Sequence, residues 1–69
     1  MRIYVLIEKS LNVSRVKLAS SNIEDVKRKI SEMCRFGEYP EFQIWENGQL
    51  IQVVEGDEVL KVIVQEYNQ

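Results

Sequence analysis

The chain has 69 residues, nine Lys or Arg against eleven Asp or Glu, a formal net charge of −2, one cysteine and no histidine. This length predicts a single domain with one modest core, since a chain of this size buries only about 60% of the surface it exposes when unfolded. A net charge of −2 is too weak to imply electrostatic capture of nucleic acid or of an anionic membrane.

Cys34 has no partner for an internal disulfide, which fits a reducing, cytoplasmic setting. No apolar run approaches the ~18 residues of a membrane span. The opening Met1-Arg2-Ile3-Tyr4-Val5-Leu6-Ile7-Glu8 lacks the length and cleavage site of a signal peptide.

Residues 2–8 read as a first strand, with Ile3, Val5 and Ile7 on one face and Tyr4 and Leu6 on the other. Two apolar faces predict a central strand or one covered on both sides. Glu8-Lys9-Ser10-Leu11-Asn12 has the length of a hairpin connector. Residues 13–19 then alternate, Val16 and Leu18 on one face and Arg15 and Lys17 on the other, so the two strands are expected to pair antiparallel.

A helix follows over residues 22–35. Ser21 and Glu24 have capping-box spacing, and Ile23, Val26, Ile30, Met33 and Cys34 form one apolar stripe. Glu24/Arg28 and Asp25/Lys29 are four apart in the favourable order, each worth about 0.2–0.5 kcal/mol. Gly37 stops the helix and Pro40 lies beyond it.

Residues 41–46 and 49–54 read as the arms of a hairpin. Its turn is Asn47-Gly48, a dipeptide that tolerates the positive φ of a type I′ turn. That register pairs Trp45 with Leu50 and Ile44 with Ile51. A second two-residue turn at Gly56-Asp57 would pair Val53 with Leu60 and Ile51 with Val62, which predicts a fifth strand over residues 59–65. A C-terminal helix over residues 58–67 is the alternative, because Leu60, Ile63, Val64 and Tyr67 also fit helical spacing. The β-branched Val59, Val62, Ile63 and Val64 favour the strand.

The expected architecture is a single α+β domain over residues 1–69, ordered ββαβββ with one helix on an antiparallel sheet, or ββαββα if the C-terminal helix forms. The stretches Met1-Arg2-Ile3-Tyr4-Val5 and Ile23-Glu24-Asp25-Val26-Lys27-Arg28-Lys29-Ile30 resemble a ubiquitin-type β-grasp. Against that fold, the connector after Val54 is too short for its crossover and the ending Tyr67-Asn68-Gln69 has no Gly-Gly tail. The resemblance carries no functional residue.

In this register the helix covers Ile3, Val5, Ile7, Val16, Leu18 and Phe42, together with Ile44, Ile51, Val53, Leu60 and Val62. The opposite face carries Tyr4, Leu6, Trp45, Leu50 and Ile63, with Arg15, Lys17 and Lys61 beside them. An apolar patch with a polar rim marks an interaction site when exposed, and Trp, Tyr and Arg are enriched where binding energy concentrates. The expected function is therefore non-catalytic protein–protein interaction through this face, with a second copy as the simplest partner. Burial inside the domain is the structural alternative. Single-stranded nucleic acid stacked on Tyr4 and Trp45 is the other functional one, weakened by the negative charge and the absence of an RNP-type motif.

No catalytic, metal or cofactor site is expected. Cys34 and the serines have no histidine to activate them, and Cys34 on the apolar stripe is expected to be buried. One cysteine without histidine excludes structural zinc patterns within the chain. Glu55, Asp57 and Glu58 read as a solvated acidic turn, and Lys27-Arg28-Lys29 as a solvated helix face. The three glycines are scattered among turns and build no phosphate loop.

Overall fold

The computed structural model describes residues 1–69 as an α+β fold, a four-stranded antiparallel sheet with two helices. In chain order the elements are β1 (Arg2–Lys9), β2 (Ser14–Ser20), α1 (Ile23–Arg35), β3 (Tyr39–Glu46), β4 (Gln49–Glu55) and α2 (Asp57–Tyr67). The strands lie in the order β2-β1-β3-β4, which makes β1 and β3 central and β2 and β4 the edges. Every neighbouring pair is antiparallel, so the crossover between parallel strands that a β-grasp requires is absent. Neither helix is long and apolar enough to cross a membrane.

The expected fifth strand is instead α2. Val59, Val62 and Ile63 fall on one side of a helix there, and all three are buried. Their β-branching costs a helix only a few tenths of a kcal/mol each, whereas full burial of such a side chain is worth about 1.5–3 kcal/mol. Gly56 makes the transition: with φ 62 and ψ −133 it ends β4 and starts the helix, so the expected two-residue turn and the pairs Val53–Leu60 and Ile51–Val62 do not form. The Gly56 N–H donates to the Pro40 carbonyl at 3.0 Å, which ties the junction to β3.

Both helices pack on the same side of the sheet. Val26, Ile30 and Met33 of α1 and the three buried residues of α2 close over Tyr4, Leu6, Phe42 and Ile44. The facing of β1 is thus opposite to the expected one: Tyr4 and Leu6 are core, while Ile3, Val5 and Ile7 point away from the helices. With both faces of β1 apolar, alternation alone leaves its facing open. The polar end of Tyr4 is accommodated because its hydroxyl donates to Glu66 of α2 at 3.0 Å. A buried tyrosine with a partner is as good a core residue as a leucine.

Two β-bulges change the expected registers. In β2 the pairing with β1 passes from Leu18 opposite Leu6 to Val16 opposite Ile7, leaving Lys17 as the extra residue. Val16 and Leu18, expected on one face, are therefore split: Leu18 packs on the core and Val16 is exposed. In β4 the pairing passes from Leu50 opposite Trp45 to Gln52 opposite Ile44, with Ile51 as the extra residue. The Trp45–Leu50 pair is as expected, but Phe42 then faces Val54 rather than Val53. An inserted residue reverses the facing of everything beyond it. Asn47 (φ 52) and Gly48 (φ 82) form the turn with the positive φ values expected of them.

At the start of α1, Asn22 replaces the expected Ser21–Glu24 capping box. Its side-chain oxygen accepts from the Glu24 N–H at 2.9 Å, and Asn is among the strongest caps. Ser20 Oγ accepts from the Asn22 N–H at 3.0 Å and donates to Asp25 at 2.8 Å. The ion pairs on α1 are Asp25–Arg28 and Lys29–Glu32, three apart rather than four. Cys34, expected in the buried stripe, is exposed.

Candidate functional site on the open face of the sheet

With both helices on the Tyr4 side, the other side of the sheet has nothing packed on it. Its side chains form three rows across the strands. Ile3, Trp45 and Leu50 make the first. Ala19, Val5, Gln43 and Val53 make the second, and Val16, Ile7, Glu41 and Glu55 the third. The apolar members at the edges stay well exposed: Val16 at 66%, Leu50 at 45% and Val53 at 46%. Those on the central strands, Ile3, Val5, Ile7 and Trp45, are half-buried only by their neighbours in the sheet.

The polar groups of this face satisfy one another. The Trp45 indole N–H donates to Gln43 Oε1 at 2.9 Å, and Gln43 Nε2 donates to Glu41 Oε2 at 2.6 Å. Lys9 Nζ then bridges Glu41 at 3.5 Å and Glu55 at 2.6 Å. This chain runs along one face of β3, because alternate residues of a strand share a side. It fixes the indole and the amide in single orientations. The Lys9 hydrogen bond and charge hold the Glu55 carboxyl below the usual range, and Glu55 in turn holds the Lys9 ammonium above its own. An indole N–H or amide buried without a partner costs about 1–3 kcal/mol, so a face whose polar atoms are already paired can be covered without that penalty.

Of the residues expected to form the site, Trp45 and Leu50 lie together on this face as paired neighbours. Tyr4, Leu6 and Ile63 are buried in the core on the opposite side of the sheet. Lys17, on the β2 bulge, reaches Glu38 at 3.4 Å and Glu8 at 3.8 Å. Arg15 is exposed opposite Glu8, whose strand position faces the helix side. Lys61 sits on the exposed side of α2, 3.3 Å from Glu58. The basic rim expected around Trp45 is therefore absent, and the charges beside the open face are Glu41, Glu55 and Lys9.

The residues that sequence reasoning placed in the core instead, Ile3, Val5, Ile7, Val16 and Val53, supply most of the open face. No local signal marks this reversal, because Tyr4 is suited to the core only once α2 brings Glu66 to its hydroxyl. On the other side of the molecule, Glu66 also pairs with Arg2, which bonds Glu46 at 3.1 Å as well. That cluster locks α2 to the sheet and is structural in its geometry.

The chemistry available on the open face is apolar burial around an oriented indole. Comparison with known proteins places no constraint on this reading, since no family model, curated protein or solved structure matches the chain.

Proposed function

We propose that this protein is a non-catalytic protein–protein interaction module, cytoplasmic, whose working surface is the open face of the sheet. The observation that carries the reading is the combination of uncovered apolar rows with polar groups already paired among themselves. Contiguous apolar surface of this kind is a feature of interaction sites in soluble proteins. Trp45 is the anchor, being large, oriented by Gln43 and flanked by Ile3 and Leu50. The simplest occupant is a second copy packed face to face, as sheets pack in sandwiches.

The single-stranded nucleic-acid alternative loses its supports. Tyr4 is in the core, Arg15, Lys17 and Lys61 lie away from Trp45, and the one lysine near the face is held by two carboxylates.

Sedimentation velocity over a concentration series tests the proposal, with Trp45 emission and quenching recorded in parallel. The expected result is a face-to-face association step that shields the indole and is absent in Trp45→Ala, while the circular dichroism of the variant stays native. A Trp45→Ala protein that unfolds would make the residue structural. A wild-type indole freely quenched at every concentration would remove the second copy as occupant. Quenching relieved by single-stranded oligonucleotide in a salt-dependent way would restore the nucleic-acid reading.

A further inference from the structure

The two edges of the sheet are built differently. An edge strand presents unpaired backbone N–H and C=O groups, and proteins blunt it with charged side chains, prolines and bulges. β2 carries Arg15 and Lys17 in its middle, with the bulge at Lys17 itself. β4 (Gln-Leu-Ile-Gln-Val-Val-Glu) has no Lys, Arg or Pro, and nearly all of it is exposed. Its bulge lies at the hairpin end, at Ile51, leaving Gln52–Glu55 in regular pairing with β3. Its one charged residue, Glu55, is already engaged by Lys9 at 2.6 Å.

We propose that β4 is a docking edge for the β4 strand of a second copy, the two running antiparallel about a two-fold axis at Val53. This goes beyond the open-face reading and does not depend on it. The strand is complementary to itself in this register. Val53 meets Val53 of the other copy, Gln52 meets Val54, and Ile51 meets Glu55. The two Glu55 carboxylates stand about 14 Å apart along the ladder, four residues at the strand rise. The row Ala19–Val5–Gln43–Val53 continues into its own symmetry mate, so one sheet of eight strands results. A symmetric contact of this kind also closes. The only edges left are the two β2 strands, which carry the bulge and the charges, so growth into a filament stops there. Pairing of β4 with β2 of another copy would be open-ended and is opposed by the same devices.

The test is carried out in a Trp45→Lys background, which abolishes packing through the open face. Sedimentation equilibrium is expected to show a dimer there. In a sample mixing isotope-labelled and unlabelled chains, cross-peaks are expected between Val53 residues of different copies. Val53→Lys and Val53→Glu, added singly, each set like charges directly opposite and weaken the dimer by about tenfold or more. Mixing the two variants restores it as a heterodimer, which a merely misfolded variant would not do. A Trp45→Lys protein that stays monomeric at millimolar concentration overturns the β4 proposal. So does a dimer indifferent to the charges at position 53. If Trp45→Lys leaves the wild-type assembly unchanged, the open-face reading fails while the edge proposal stands.

Discussion

The Tyr4 hydroxyl donates a 3.0 Å hydrogen bond to Glu66, sixty-two residues further along the chain, and so joins the first strand to the last turn of α2. Glu66 is also the partner of Arg2, and its side chain is only 7% exposed. Burial, and then the Glu66 hydrogen bond, hold the Tyr4 phenol above its ordinary range. The folded protein therefore keeps this proton at pH values where the unfolded chain, with a tyrosine near its usual value of about 10, has lost it. The contribution to stability is fully present below that value and disappears as pH rises through the higher folded value. Denaturant unfolding at a series of alkaline pH values is expected to show this loss. Tyr4→Phe should lower stability at neutral pH by about 0.5–1.5 kcal/mol and flatten the alkaline decline. An unchanged alkaline slope in Tyr4→Phe would mean that another group governs it.

The reversed facing of β1 makes neighbouring substitutions unequal. Leu6 is fully buried between the sheet and the helices, whereas Ile7 sits on the open face opposite Val16 and Glu41. Leu6→Ala is expected to cost about 2–5 kcal/mol through the cavity it leaves, which is most of the stability of a domain this small. Ile7→Ala, measured in dilute monomer, should cost under about 1 kcal/mol. Equal losses in urea unfolding would contradict the placement of the two faces.

Gly56 and Gly37 both have positive φ, but their surroundings differ. A Cβ at Gly37 meets open space; one at Gly56 comes within 3.0 Å of the Tyr39 hydroxyl. Gly56 also combines its φ of 62 with an extended ψ of −133, a region open to glycine alone. Gly37→Ala is expected to lose about 1–2 kcal/mol from the left-handed backbone. Gly56→Ala should lose about 1–3 kcal/mol from the backbone alone, with the Tyr39 clash added. Adding Tyr39→Ala to Gly56→Ala recovers only the clash. Thermal or chemical unfolding of the three variants decides this, and a Gly56→Ala protein as stable as Gly37→Ala would refute it.

How far the chain could be read from its residues depended on whether a local pattern was unambiguous. The Asn47-Gly48 turn, the Val26, Ile30 and Met33 part of the α1 stripe and the Trp45–Leu50 pair follow from local rules and are found as expected. The α+β class was legible for the same reason. The facing of β1 was not, because both of its faces are apolar and only the distant Glu66 makes Tyr4 a core residue. Single-residue insertions at Lys17 and Ile51 leave no mark in composition, yet each reverses the facing beyond it. Residues 57–67 satisfied strand and helix periods alike, and burial against α1 and the sheet decided for the helix despite β-branching. The candidate site is half legible: Trp45 and Leu50 do share a surface, but their expected apolar neighbours Tyr4, Leu6 and Ile63 are core. Arg15, Lys17 and Lys61 lie elsewhere, and Ile3, Val5 and Ile7, expected in the core, lie on the same face as the indole.

The one-sided placement of the helices has a consequence for how such a sequence drifts. Along β1, even-numbered positions are answerable to folding, and odd-numbered ones only to whatever touches the outside of the sheet. Two kinds of selection are thus interleaved residue by residue on a single strand. In descendants of this chain whose outer face was free of selection, Tyr4 and Leu6 would hold while Ile3, Val5 and Ile7 wandered toward polar residues. A population of variants sorted by binding, and the same population sorted by folding, would therefore separate at alternate positions.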